Sequence, residues 1–295
     1  MNTESSEPLV SVMMPCFNAQ RTLPMALASL KAQTYQNWEA VVVDDASDDR
    51  TWDMLQGFDD PRVRRERSTA NRGIGAVRQR CLEMARGQLL SFLDSDDWLF
   101  PDKLERQVAT MREHPELTVL SGSCVIIDGR GEPVGMFRAG PAPHRGFRTG
   151  RLTRPGQLPL SFPPAIVRME AARQAGFNSR FRRSEDSNFL IRVMLGRTYG
   201  ISQVPVYAYS QAESASLAKT LEGYRFRLHS YREFGRSHPV SSRVEIAKTV
   251  LKIGVYKTAG WLGLAGGLIE SRSESLTPEG KAAYEIARAT VAKLA

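Results

Sequence analysis

The stretch "GQLLSFLDSDD", residues 87–97, joins an apolar run to a cluster of acidic residues. An apolar run with the length of a buried strand ends abruptly on three carboxylates, Asp94, Asp96 and Asp97. Carboxylates this close repel one another, so the cluster needs a partner that offsets the repulsion. Two partners fit the sequence: a divalent cation with hard oxygen ligands, or the start of a following helix that one aspartate caps.

The first 115 residues repeat this strand in alternation with helices. Apolar periodicity predicts strands over 9–14, 38–47, 62–68 and 88–94, and helices over 22–33, 48–58, 73–87 and 101–115. This alternation predicts an α/β fold with a Rossmann-like, mostly parallel central sheet flanked by helices. Ligands of such sheets bind beyond the carboxyl ends of the strands.

Other acidic residues lie where this edge and a later helix are predicted. Asp44 and Asp45 end the second strand, where a carboxylate either accepts a hydrogen bond from a nucleobase or ribose, or caps a turn. Glu185 and Asp186 open a helix over 184–196. They supply either a general base for an attacking hydroxyl, or the acidic first turn that a helix dipole favours.

The basic charge is concentrated in the C-terminal part of this 295-residue chain, whose formal net charge is +8. Nine Lys and Arg residues face three Glu residues between positions 219 and 257, and the sequence from about 221 onward is helical in character. The segment 224–236 interleaves arginines with aromatics, but its apolar residues recur at helical spacing, so no nucleic-acid partner is predicted. A helical extension over 219–295 is expected to dock on an anionic membrane, form a homodimer or pack on the rest of the chain.

Cysteine usage and the N-terminal sequence predict a cytoplasmic location. Cys16, Cys81 and Cys124 are scattered singly, as expected in a reducing compartment. The N-terminal residues lack the basic start and apolar centre of a signal peptide. The stretch 253–270 is rich in glycine and contains Lys257, so it is too interrupted for a transmembrane helix. Any membrane association is therefore expected to be peripheral, on the inner face.

Four segments in fixed order extend these observations: "VSVMMPCFN", "VVVDDASDDRT", "NRGIGAVRQRCLEMARGQLLSFLDSDD" and "RRSEDSNFLIRV". Together they resemble the family-2 inverting glycosyltransferases with the GT-A fold, over about residues 9–215. The resemblance implies a GT-A catalytic domain over 1–218, followed by the helical extension over 219–295. It also implies a nucleotide-sugar donor that lies over the carboxyl edge of the sheet.

The resemblance assigns the nucleotide pocket to three segments. Asp45 matches an aspartate that contacts uracil, and Asp44 its structural neighbour. In the third segment, Gly75 and Gln79 replace the usual Ser and Asn of the family pattern. The other residues implied to bind the donor are Pro15, Phe17, Asn18, Asn71, Gly73 and Arg78, the arginine being a partner for nucleotide or carboxylate.

The resemblance also assigns the chemistry. Asp94 and Asp96 match the metal-binding D-x-D motif, which implies Mn²⁺ or Mg²⁺ on the donor diphosphate, with Ser95 between them at the donor. Asp186 matches the catalytic base and Glu185 its acidic neighbour. The implied reaction is an inverting, metal-assisted transfer from a UDP-sugar or dTDP-sugar to a saccharide or polyprenyl-linked saccharide.

The sequence leaves alternatives open for the function as a whole and for three individual residues. A catalytically silent GT-A scaffold is disfavoured because Asp96 and Asp186 are both present. Trp98 is expected either in the core or beneath the donor sugar. Ser214 and Ser216 lie in a segment that is expected either to contact the diphosphate or to form an ordinary surface loop.

Overall fold

The computed structural model describes residues 7–137, 147–210, 217–262, 264 and 274–295. The elements of its first half are β1 (Val10–Cys16), α1 (Leu23–Lys31), β2 (Trp38–Asp44), α2 (Thr51–Gly57), β3 (Val63–Arg67), α3 (Ile74–Met84), β4 (Leu89–Phe92), β5 (Trp98–Leu99) and α4 (Lys103–Glu113). The second half adds β6 (Leu117–Ile127), β7 (Pro133–Phe137), β8 (Phe147–Arg151), β9 (Ile166–Arg168), α5 (Met169–Ala175), α6 (Glu185–Met194), β10 (Thr198–Ser210), α7 (Leu217–Glu233), α8 (Pro239–Trp261) and α9 (Pro278–Val291).

The strands form a mixed sheet in the order β3-β2-β1-β4-β9-β6-β10-β5, with β7 on β6 and β8 on β10. The pairs β1–β2, β1–β4, β2–β3 and β6–β10 are parallel. The prediction of a mostly parallel sheet flanked by helices is thereby confirmed. Antiparallel pairing enters at β9, which joins the two parallel parts by pairing with both β4 and β6.

The segment between β6 and β9 differs from its sequence-based description. The sequence is rich in glycine, proline and arginine up to about residue 164, which predicts a long loop or flexible insertion, whereas the described residues of this segment contain two short strands, β7 and β8. Both lie at the margin of the sheet and pair antiparallel with long strands. The side chains of β8 are largely exposed, so it lacks the apolar alternation by which a strand is recognised. Strand β7 has only five residues, two of them buried, which is too short a stretch for a clear pattern.

Strand β1 shows how the two faces of the sheet are filled. Val10, Val12 and Met14 pack into one apolar cluster with helices α1 and α4. Met13, which points the other way, packs with α3, α5 and α6. The strand therefore reads as continuously apolar because both of its faces are buried.

Parallel registry brings the polar strand ends together. Cys16 of β1 lies beside Asp44 of β2, which lies beside Arg67 of β3. The backbone N–H of Leu93, after β4, bonds to Met13 of β1. The residues that follow these strands therefore share one edge of the sheet.

The C-terminal helices pack at two separate places. Tyr284, Ala287 and Val291 of α9 join a buried cluster with Trp98 and Phe100, which confirms a core position for this tryptophan. The pair α7 and α8 packs instead on α6, through contacts described below. A domain boundary at residue 218 stays a prediction. Within the described residues, no helix is long and apolar enough to cross a membrane.

A fully buried lysine connects the acidic strand end to helix α4. The Nζ atom of Lys103 donates hydrogen bonds to Ser91 of β4 at 2.7 Å and to Gln107 at 2.8 Å. Burial lowers the pKa of Lys103 to about 7. The unfolded chain therefore binds more protons at this position above pH 7, and the free energy of unfolding rises with pH until the ordinary lysine value is reached.

We expect Lys103→Met to raise the free energy of unfolding at pH 7 by about 1–2 kcal/mol, because it removes a buried ammonium at the cost of two hydrogen bonds. The gain should shrink towards pH 10. Urea unfolding at both pH values measures it, with the exposed Lys281→Met as the matched control. A Lys103→Met protein that is less stable at pH 7 and equally so at pH 10 would contradict the argument.

Candidate active site

A cavity of about 1330 Å³ opens at the carboxyl edge of the sheet. The ten residues that the sequence assigned to donor binding all line it: Pro15, Phe17, Asn18, Asp45, Asn71, Gly73, Arg78, Asp94, Ser95 and Asp96. Glu185 and Asp186 do not belong to its lining. Glu185 connects to it through its hydrogen bond with Arg78, and Asp186 is the next residue along α6.

The two aspartates that end β2 have different partners. Asp44 is fully buried, accepts a hydrogen bond from the Ser47 hydroxyl and forms an ion pair with Arg67 at 3.2 Å. Asp45 accepts the backbone N–H groups of Arg72 and Gly73, both at 2.8 Å. Gly73 has a φ of 84°, a conformation that glycine adopts without strain. Asp45 therefore fixes the loop before α3 against the cavity wall.

Asp97 is buried, and both oxygens of its carboxylate accept hydrogen bonds from strand β10. One carboxylate oxygen accepts the Tyr207 hydroxyl at 2.8 Å, and the other accepts the backbone N–H of Ser210 at 2.7 Å. The same tyrosine oxygen accepts the backbone N–H of Asp94. Burial raises the pKa of Asp97 well above its usual range, with smaller contributions from the neighbouring aspartates. Helix α4 begins only at Lys103, so the helix-cap interpretation of this cluster is wrong.

Arg78 joins the end of β4 to the start of α6. Its guanidinium donates to Asp94 at 2.7 Å and to Glu185 at 2.6 Å, and it lies 4.5 Å from the ring centroid of Phe162. Burial opposes its charge, but the carboxylates of Asp94 and Glu185 outweigh burial and raise the pKa of Arg78. In this structure the arginine therefore neutralises protein carboxylates.

Asp96 is the most exposed of the three aspartates that line the cavity after β4, and it forms no ion pair with any described residue. The surrounding protein and the Asp94 carboxylate raise its pKa to about 6. Within the described residues, no three acidic, histidine or cysteine side chains form a complete metal site. The donor set still fits Mg²⁺ or Mn²⁺, because these cations take only one or two carboxylates and complete their shell with phosphate oxygens and water.

Helix α6 begins at the second acidic pair. Glu185 is buried, and burial raises its pKa to about 7, although Arg78 opposes the rise. Asp186 is half-buried and accepts the N–H of the next residue, Ser187. The residue before them, Ser184, is left-handed with a φ of 57°. Its hydroxyl donates to the carbonyl of Gly223 in α7.

Helix α7 also holds the segment around this helix start. Arg183 forms an ion pair with Glu222 at 2.6 Å. The side-chain amide of Asn188 donates to Ser230 and to Glu233. The conformation that presents Glu185 and Asp186 thus depends on the C-terminal extension.

The two departures from the family pattern contact one segment. A Cβ atom on Gly75 would lie 2.5 Å from the carbonyl oxygen of Phe181 and 2.7 Å from that of Asn178. The Gln79 side chain accepts the backbone N–H of Phe177 at 2.8 Å. Gly75 and Gln79 therefore allow the segment before α6 to lie close against α3.

Sequence patterns did not reveal the far wall of the cavity. The turn after β6, residues 128–131, lines it together with Tyr284 and Arg288 of α9. The Tyr284 hydroxyl donates to the carbonyl of Gly131, and Arg288 pairs with Glu132 at 2.9 Å. These contacts join positions more than 150 residues apart, so no local sequence pattern predicts them. Ser214 and Ser216 lie outside the described residues.

Comparison with known proteins identifies the arrangement. The model of glycosyl transferase family 2 matches residues 11–176. The UDP-Glc:alpha-D-GlcNAc-diphosphoundecaprenol beta-1,3-glucosyltransferase WfgD of Escherichia coli is 36% identical over 131 residues, which are 44% of this chain and 51% of that protein. The chain spans about half the length of the curated relatives it matches.

Solved structures share the fold. TarS 1–349 of S. aureus, in complex with UDP, has a TM-score of 0.62 at 20% identity, covering 97% of this chain and 88% of that one. The mannosyltransferase PcManGT of Pyrobaculum calidifontis, in complex with GDP-Man and Mn²⁺, has a TM-score of 0.57 at 17% identity, covering 98% and 86%. These similarities confirm the GT-A fold expected from the sequence.

We expect Arg78→Gln to lower the free energy of unfolding by about 3–5 kcal/mol, because it leaves the carboxylates of Asp94 and Glu185 without their shared cation. The matched control is Arg80→Gln on the same helix, which breaks an exposed pair with Glu66 and should cost about 1 kcal/mol or less. Urea unfolding at neutral pH compares them. If Arg78→Gln and Arg80→Gln lowered the free energy of unfolding equally, the buried bridge would be no more stabilising than the exposed ion pair, which would contradict the prediction.

Proposed function

The chain belongs to glycosyl transferase family 2, and from this premise we propose that it transfers a sugar from a nucleotide-sugar donor to a hydroxyl group of an acceptor. The main support for this proposal is that the Asp45 loop, the aspartates after β4 and Arg78 all line one cavity. A nucleoside diphosphate presents a base, a ribose and two phosphates in a row. The cavity offers polar groups at its β1–β2 side and a surplus of negative charge after β4.

We propose a UDP-sugar as the donor. The related enzyme WfgD is named for UDP-Glc, and the TarS structure contains UDP. Asp45 supports the same choice, because its carboxylate is held at the cavity wall with lone pairs left for a base N–H. Phe17, half exposed at the cavity, offers an aromatic face beside the base.

Asp96, with Asp94 beside it, would hold Mn²⁺ or Mg²⁺ together with the donor diphosphate. When bound, the cation supplies Lewis-acid stabilisation of the charge on the departing nucleoside diphosphate. The protein's own contribution is positional. Arg78 holds one oxygen of Asp94, and Tyr207 with Asp97 fixes the backbone of the turn, so Asp96 is left to face the ligand.

We propose Asp186 as the general base that removes the proton from the acceptor hydroxyl. It is half-buried at the first turn of α6, beside the Arg78–Glu185 pair. Attack of that hydroxyl at the anomeric carbon, opposite the departing diphosphate, forms the new C–O bond as the old one breaks. One such displacement inverts the anomeric configuration and needs no covalent enzyme intermediate.

The proposed acceptor is a saccharide or a polyprenyl-linked saccharide. WfgD is named for an acceptor sugar on diphosphoundecaprenol, a lipid carrier. An acceptor of this kind is anchored in a membrane, so the enzyme would work peripherally at its inner face.

We expect Asp186→Asn to bind the UDP-sugar donor as tightly as the unchanged protein but to lower transfer by about 10²–10⁴-fold, because only the base is lost. A panel of nucleotide sugars with Mn²⁺, scored by nucleotide release, first selects the donor. Calorimetry then measures its affinity in both proteins.

The matched control is Asp102→Asn, whose exposed carboxylate pairs only with Arg106 on the same helix and should leave both quantities unchanged. Full transfer by Asp186→Asn would remove this residue from the mechanism. No response to any nucleotide sugar in the presence of metal would contradict the proposed function itself.

A further inference from the structure

The outer face of α8 carries an apolar stripe that the described part of the chain leaves open. Its residues are Val240, Val244, Leu251, Val255 and Leu262, each between 46% and 74% exposed. Their spacing of four and seven residues keeps them on one side of a helix. From first to last they extend over about 33 Å at the rise of an α-helix.

The opposite face of α8 is fixed to the rest of the protein. Ser242, Thr249, Tyr256 and Ala259 are buried on that side. The ring of Tyr256 lies 5.5 Å from that of Tyr224 in α7. Because the inner face is packed, the orientation of the stripe is determined by the fold.

Basic residues border the stripe on both sides. A rotation of 100° per residue places Lys248, with Lys252 beyond it, on one side of the stripe and Arg243 on the other, all three exposed. The acidic residue of this helix, Glu245, is half-buried and pairs with Lys248 at 2.8 Å. The exposed half of α8 therefore combines an apolar stripe with an excess of positive charge, because Glu245 offsets only one of the basic side chains beside it.

We propose that α8 lies in the plane of an anionic lipid bilayer, with the stripe in the boundary between headgroups and acyl chains. An apolar face bordered by lysines and arginines is the pattern of an interfacial helix. The basic margins then contact acidic headgroups. Trp261, 85% exposed at the C-terminal end of α8, supplies the aromatic ring that favours this depth.

A second copy of the same face is a poorer occupant. Paired helices with this spacing select their partner through opposite charges beside the apolar seam. Basic residues lie on both sides of the stripe, so two copies would bring like charges together. The charge pattern favours lipid over self-association.

The proposal deepens one part of the proposed function, the membrane location, and does not depend on sugar transfer. A consequence for the site follows from α7, which packs on α8 and bonds to the start of α6 at Arg183 and Ser184. A bilayer bound by α8 is thus connected, through one helix, to the segment that presents Asp186.

The test measures binding of the full chain to sedimented vesicles in the absence of donor. We expect binding to vesicles of equal parts phosphatidylcholine and phosphatidylglycerol, little binding to phosphatidylcholine alone, and weakening by salt. Leu251→Gln with Val255→Gln should lower the partition coefficient by about tenfold or more, because two apolar side chains no longer enter the lipid. Lys248→Gln with Lys252→Gln should remove most of the preference for anionic lipid.

Ile286→Gln on α9, an equally exposed apolar position away from α8, is the matched control and should bind as the unchanged protein does. Thermal unfolding and UDP affinity establish that each variant is intact and keep this result separate from the proposed reaction. Undiminished vesicle binding by the Leu251→Gln and Val255→Gln protein would overturn the proposal. So would a dimer in sedimentation analysis that these two substitutions convert to a monomer.

Discussion

The buried guanidinium of Arg78 is the contact on which the arrangement of this site depends. It spans from Asp94, at the end of β4, to Glu185, at the start of α6, and both bonds are short enough to be charge-assisted. Two segments about ninety positions apart are thereby held in one place. Removing the arginine would leave buried carboxylates without compensation, a far greater cost than losing an exposed ion pair.

The remaining acidic residues at this edge of the sheet differ in the hydrogen-bond and ion-pair partners of their carboxylates. Asp45 is held by two backbone N–H groups, and Asp97 by a tyrosine hydroxyl and a backbone N–H. Asp94 shares Arg78. Asp96 has no such partner among the described residues, and burial, with a smaller contribution from the Asp94 carboxylate, raises its pKa to about 6. We propose that a cation bound together with a diphosphate offsets the negative charge of Asp96 and Asp94.

The features that the sequence predicted correctly are those that depend on short, local sequence patterns. Alternating strands and helices predicted the parallel half of the sheet, and acidic strand ends predicted which residues gather at its edge. The antiparallel β9 was not predicted, since three residues carry too little periodicity. The contribution of α9 to the cavity was not predicted either, because Tyr284 meets Gly131 only in the folded chain. The departures at Gly75 and Gln79 became interpretable only when both were seen to contact the segment before α6.

We propose that Asp96 and Asp94 complete a cation site only together with a nucleoside diphosphate. Calorimetric titration of the full chain with UDP, in Mn²⁺ and then in a chelator, tests it most directly. Removal of the metal is expected to weaken UDP binding by at least about tenfold, and Asp96→Asn is expected to show the weaker affinity under both conditions. Equal UDP affinity with and without the metal would contradict it.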